Sequence, residues 1–285
     1  MDFVIVTAWR RPEFLWASLT SILAAVDRQD AHILVSLDRH YSPETKWVAE
    51  QFAARIPVGN MTIVTRMDHQ TRYRGNSFNV IESYRDALAA GPSLVHLIED
   101  DVFVGYDYFD FHRRAHALVP DAFSVSACRN QQFPLGTEPP AEDDAVYSHA
   151  SYQSIGVSFR PEVLASALDG VGHDYYTSMV AWCQRRFPNS SIPAGHAEQD
   201  GLLNKTREFL GAETVYGAVP RAYHAGFMGY HRNGSRLAGT ISYMGRALLE
   251  MNGDELNKHA HDYKDHSTID LDADRASASR TIVWP

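Results

Sequence analysis

The sequence predicts an α/β fold, a mostly parallel central sheet flanked by helices, with a less regular second half. Two observations lead there. Short apolar runs of strand length recur at residues 3–7, 32–37, 61–65 and 94–98, and segments with apolar residues at helical spacing separate them. Strands that alternate with helices in this way pair in parallel and leave their ligand site beyond the carboxyl ends of the strands.

Residues 3–7, FVIVT, are almost continuously apolar, the pattern of a strand buried on both faces. Pro12 opens the next segment, where Phe14, Leu15, Leu19, Ile22, Leu23 and Val26 fall at helical spacing. A second strand at 32–38 ends in Asp38, and a helix is expected over 43–54. MTIVT at 61–65 reads as the third strand. Val80, Ile81, Tyr84 and Leu88 give the helix at 76–90 one apolar face, and residues 94–98 form the fourth strand. Thr7, Asp38 and the run Glu99-Asp100-Asp101 then share one rim.

Beyond residue 107 the pattern loosens. A helix from about Asp107, strands near 123–127 and 154–159, and helices over 161–168 and 175–186 are expected. Residues 129–148, rich in Pro, Gly, Asp and Glu, read as a long loop able to cover a ligand or simply to follow the surface. The polar stretch from residue 254 reads as an extension that wraps the surface. The expected division is an α/β half at 1–127, a less regular second half at 128–253, and a polar extension at 254–285.

The formal net charge of -9 means that gripping a polyanion would require a local basic patch rather than the overall field, which disfavours nucleic acid as a bulk partner. Cys128 and Cys183 sit in no metal or redox motif and are expected as free thiols. The apolar run after Met1 is too short for a signal peptide, and no apolar stretch is long enough to span a bilayer. A soluble, cytoplasmic protein is expected.

Three consecutive carboxylates where a buried strand leaves the sheet disfavour one another's ionised forms, and a Mg²⁺ or Mn²⁺ ion would relieve that repulsion. Such an ion would also stabilise a departing diphosphate. The structural alternative is an acidic turn before a helix. With its flanking residues the cluster reads EDDVFVGYDYFDF, residues 99–111. This run resembles the glycosyltransferases of the GT-A fold, and most of all the N-acetylglucosaminyltransferase I type, over roughly residues 1–235. The resemblance implies that Asp101 contacts the metal, while Glu99 and Asp100 lie against the donor sugar, the ribose or metal-bound waters.

Thr7, Arg10 and Arg11 follow the first strand and could engage base, ribose or phosphate, or else cap a helix and face solvent. Asp38 could accept from a base N–H or a ribose hydroxyl, or cap its own turn; the resemblance favours a uridine contact and hence a UDP-linked donor. Arg74 precedes a helix at a place suited to phosphate, and Asn76 either caps that helix or binds donor.

Transfer with inversion needs a general base near the acceptor hydroxyl. Asp200 is the candidate, with Glu198 as its rival and helix capping as the structural alternative. A neutral imidazole can ligate Mn²⁺, and a late histidine, here His224, completes the metal site in many GT-A enzymes. Gly226, Gly229 and Gly234 would allow a lid carrying Arg232 to the diphosphate.

The expected activity is a metal-dependent, inverting glycosyltransferase using a nucleotide-sugar donor. Its hydroxyl acceptor could be a saccharide, a small molecule, a lipid-linked intermediate or a modified nucleic acid. A metal-dependent nucleotidyltransferase or phosphohydrolase, and a noncatalytic nucleotide-sugar or carbohydrate-binding module, are the alternatives.

Overall fold

β1 (Asp2–Ala8) is buried along its whole length, and its side chains alternate between two cores, one on each face of the sheet. Val4 and Val6 face one, Phe3 and Ile5 the other, as the twofold strand period requires. This computed structural model describes residues 1–25, 31–57, 59–66, 75–128, 145–192 and 197–224, and the backbone of 278–282.

The first half follows the expected alternation: α1 (Pro12–Ala25), β2 (Ala31–Leu37), α2 (Pro43–Ala53), β3 (Met61–Thr65), α3 (Gly75–Ala90) and β4 (Val95–Glu99). Both α1 and α2 open on a proline, whose fixed φ suits a first helical position. Ser42 caps α2 by accepting from the Thr45 amide at 3.2 Å. β5 (Val102–Val104), α4 (Tyr108–Leu118), β6 (Ser124–Ser126), β7 (Val146–His149) and β8 (Val157–Phe159) follow. The chain continues with α5 (Pro161–Leu168), α6 (His173–Thr177), α7 (Met179–Arg186), α8 (Gln199–Leu210), β9 (Thr214–Gly217), β10 (Ala222–His224) and β11 (Ala278–Ile282).

Nine strands form one sheet in the order β11-β7-β9-β6-β8-β4-β1-β2-β3, so the sheet runs unbroken through both halves. β3, β2, β1 and β4 pair in parallel; only β7 and β8 run against the direction of the rest. Helices α1, α2 and α4 cover one face, and α3, α5, α6, α7 and α8 the other. No described helix is long and apolar enough to cross a membrane.

Three expectations are corrected. The helix expected over 175–186 is two, broken at Ser178 (φ −149°, ψ 53°). Thr177 there donates its hydroxyl to the His173 carbonyl at 3.0 Å, the local competition with helical bonding that hydroxyl residues bring. The expected loop at 129–148 gives way to a strand at Val146, because β7 finds a buried place beside β9. Within the polar stretch after residue 254, β11 adds an antiparallel edge strand to β7.

Candidate active site

The alternation of β4 sorts the three acids. Val95 and Leu97 face α3, and Glu99 continues that row; His96 and Ile98 face the opposite core. Glu99 lies opposite Thr7 of β1, itself buried and on the α3 side of its strand. Asp100 and Asp101 lie in the turn that follows and are 2% and 3% exposed.

Burying two carboxylates beside a third demands compensation, and Arg11 supplies part of it. Its guanidinium bonds Asp101 Oδ2 at 2.5 Å and also reaches Asp100 Oδ1. The Trp9 amide donates to Asp100 Oδ2 at 3.4 Å. Burial works against the Arg11 charge, but Asp100 and Asp101 outweigh it and hold its pKa up. Arg11 favours the charged form of both acids, yet their net shifts run in opposite directions. Desolvation lifts Asp100 to about 6 despite Arg11. Desolvation also opposes the charge on Asp101, yet His224 and Arg11 together keep that carboxyl below its usual range. The difference lies in the hydrogen bond between Asp101 and His224.

His224 arrives by strand pairing. β10 and β5 form an antiparallel ribbon in which His224 lies opposite Val102, the residue after Asp101. Its Nε2 stands 3.3 Å from Asp101 Oδ2. Arg221 secures the ribbon: its Nε donates to Asp107 Oδ2 at 2.6 Å, and its guanidinium lies over Phe111 at 4.6 Å. Gly156, at φ +57°, supports it from below, where a Cβ would come within 2.6 Å of the Ala222 side chain.

Asp200 enters from the first turn of α8, on the face shared by Glu99 and α3. Ser77 of α3 ties that helix start down, donating to Gln199 Oε1 at 2.6 Å and accepting from the Gln199 amide at 3.3 Å. Asp200 is exposed to solvent, yet desolvation lifts its carboxyl to about 6, opposed by a bond from Ser154 and aided by Glu198. Glu99 is pushed up to about 8, first by burial and then by Asp101, Asp200 and Asp100.

No family model matches the chain. Among solved structures it is similar to S. aureus TarS 1-349 in complex with UDP-GlcNAc, at 13% identity and a TM-score of 0.50, over 81% of this chain and 60% of that one. The chain therefore spans 60% of the length of that structure. The fold is of the GT-A type. Weaker likenesses are to the mannosyltransferase PcManGT from Pyrobaculum calidifontis in complex with GDP-Man and Mn²⁺ (13% identity, 96% of this chain and 86% of that one, TM-score 0.46). The galactosyltransferase LgtC with donor and acceptor sugar analogues also matches (13%, 72% and 70%, TM-score 0.43).

GT-A sites commonly hold a divalent ion, and the donor set here fits one. Asp101 Oδ1 is buried with no hydrogen-bond partner among the described residues, and the His224 imidazole lies beside the same carboxylate. No group of three or more His, Cys, Asp or Glu among the described residues converges as a ready metal cage. To a divalent ion the described residues would offer two donors, a carboxylate oxygen and an imidazole nitrogen.

Of the residues expected at the site, the structure gathers Thr7, Arg11, Glu99, Asp100, Asp101, Asp200 and His224 on one rim. Asp38 packs its carboxylate against Gly75, where a Cβ would meet it at 2.7 Å, and accepts from the Arg39 amide at 2.6 Å. Desolvation raises its pKa. Asn76 is exposed in the first turn of α3, and Glu198 precedes α8. Arg10 is not drawn in: it stacks on Trp9 and donates to the His40 carbonyl at 2.6 Å. Arg74 and Arg232 lie outside the described residues. Sequence reading placed Ser154 at the start of an expected strand and missed its bond to Asp200.

Proposed function

We propose that the chain is a metal-dependent glycosyltransferase that moves a sugar from a UDP-linked donor to an acceptor hydroxyl with inversion. The observation that carries this reading is the pairing of an unsatisfied Asp101 Oδ1 and nearby His224 with Asp200 across Glu99 on one GT-A rim. The order of acids and aromatics after Glu99 resembles that of the N-acetylglucosaminyltransferase I type.

In this reading Asp101 and His224 hold Mn²⁺ or Mg²⁺, and the ion, when bound, neutralises charge on the departing diphosphate. Thr7 and Asp38 bind the nucleoside end at the tips of β1 and β2. Arg11, freed from part of its ion pair once a metal neutralises the acids, turns to phosphate oxygens. Asp200, ionised above about pH 6, takes the acceptor proton. Glu198, whose side chain does not cap the helix, is the rival for that role. A nucleotidyltransferase or phosphohydrolase would need a second metal-binding acid converging on Asp101, which the described residues do not assemble.

Calorimetric titration of UDP with and without Mn²⁺, together with donor hydrolysis, tests the reading. Mn²⁺ should tighten UDP binding at least tenfold in the parent and much less in Asp101→Asn and His224→Ala. Asp200→Asn should keep that affinity and lose about 10²-fold or more in turnover, and parent kcat should fall below pH ~6. UDP binding and hydrolysis unchanged by thorough chelation would reject the metal, and near-normal turnover in Asp200→Asn would reject the base.

A further inference from the structure

Asp38 follows β2 on a backbone tied from both sides. Its amide donates to the Ala8 carbonyl at 2.8 Å, and its carbonyl accepts from the Tyr41 amide at 3.0 Å. The half-buried carboxylate gives Oδ1 to the Arg39 amide, and among the described residues Oδ2 accepts no hydrogen bond. β2 stands two strands from β4 in the sheet, about 10 Å at ordinary strand spacing. One nucleoside diphosphate is long enough to cover that distance.

Gly75, where α3 begins, forms the wall beside this carboxylate. A Cβ on it would stand 2.7 and 2.8 Å from the two carboxylate oxygens of Asp38 and 3.1 Å from the carbon between them. The φ of Gly75 is not left-handed, so its backbone does not call for glycine, and glycine is a poor helix residue beside alanine. What glycine supplies here is space. α3 cannot back away to make room, because Asn79, one turn further on, is tied to β2. It donates Nδ2 to the Ser36 carbonyl at 3.1 Å and accepts from the Ser36 hydroxyl at 2.5 Å. A side chain at position 75 would therefore turn the Asp38 carboxylate off the Arg39 amide.

We propose that Gly75 is a positioning residue for nucleotide binding: by lacking a side chain it lets Asp38 present Oδ2 to a hydrogen-bond donor of the nucleoside. The inference rests on the glycosyltransferase reading above and deepens it. An ionised carboxylate only accepts, so its partner is a ribose O–H or the imide N–H of uracil. Both lie at the nucleoside end, and the phosphates carry neither.

The test is calorimetry with Mn²⁺ on the parent, Gly75→Ala, Asp38→Ala and the double variant, using UDP, 2′-deoxy-UDP, N3-methyl-UDP and inorganic pyrophosphate. The parent should bind UDP about fivefold or more tighter than one of the two analogues, which names the donor group. Each single variant should lose about tenfold in UDP affinity, the worth of one hydrogen bond, and with it that preference, while pyrophosphate affinity stays within about twofold. The double variant should bind UDP no more weakly than Asp38→Ala, since the two changes remove one interaction. In urea, Gly75→Ala should lower the unfolding midpoint of the parent and lower that of Asp38→Ala by less than half as much, because the added Cβ then meets no carboxylate. If Gly75→Ala alone does not fold, the double variant should. Equal losses for UDP and pyrophosphate would mean a merely structural role. UDP affinity unchanged in either single variant, losses that add in the double variant, a parent indifferent to both analogues, or an undiminished urea shift would equally overturn the proposal. A parent that binds no UDP at all would instead remove the glycosyltransferase reading, and this inference with it.

Discussion

At Glu99 three neighbouring carboxylates and burial leave the acid largely uncharged near neutrality unless a cation arrives. Its folded pKa of about 8 lies above the unfolded value, so its contribution to stability is complete below the unfolded pKa and is lost as pH rises through 8. Glu99→Gln keeps the shape of the protonated acid. Urea unfolding should find the variant within error of the parent at pH 5 and more stable by about 1–3 kcal/mol at pH 8.5, with transfer abolished. A variant less stable than the parent at pH 8.5 would contradict this account. The acid cluster was legible because three acids closing an apolar run have few structural explanations. Arg11 was expected at the nucleotide; its bonds to acids 89 and 90 residues away leave no trace in local sequence.

Among elements, the β5–β10 ribbon decides whether His224 reaches Asp101. Gly156→Ala tests it, because a Cβ there meets Ala222 and the φ of +57° strains any other residue. The substitution should cost about 1–3 kcal/mol in unfolding free energy and weaken Mn²⁺ binding more than it weakens metal-free UDP binding. Equal weakening of both would show that the ribbon does not set the metal site. Strands β1, β2 and β3 were readable because each is five to seven residues long. β5, β9 and β10 have three or four residues, too few for any period to register. Their places are set by partners far along the chain, Val104 with Ala222 and Ser124 with Thr214.

Across the whole molecule, the first half of the sheet was legible, and of its continuation β6 and β8 were expected as strands while β7, β9, β10 and β11 were not. Away from the acidic rim, His96, His112 and His116 cluster between β4 and α4, with His112 and His116 sharing the Ser158 hydroxyl at 2.6 and 2.9 Å. Desolvation lowers the pKa of all three, to about 3 for His116. As pH falls from about 6.5 the unfolded chain takes up protons that these folded imidazoles refuse, so their term destabilises on acidification. Glu99 and Asp100 act oppositely: between about pH 4 and 8 the fold retains protons the unfolded chain has released, and their term destabilises as pH rises. Stability should therefore pass through a broad maximum between about pH 5 and 7 and decline on both sides. A denaturation series showing a monotonic rise from pH 5 to 8.5 would be incompatible with these two groups.

The two cysteines are buried, Cys128 in the core beneath α1, α2 and α4 and Cys183 in the core beneath α3 and α5 to α8. Burial pushes the Cys183 thiol up to about 11, so it carries almost no reactive thiolate while folded. Each face of the sheet thus contains a native chemical clock. The rate at which a thiol reagent finds Cys128 dates the opening of one face, and the rate at Cys183 dates the other. Labelling with and without donor would reveal, with no engineered probe, whether ligand closes the two sides together or only the side that holds it.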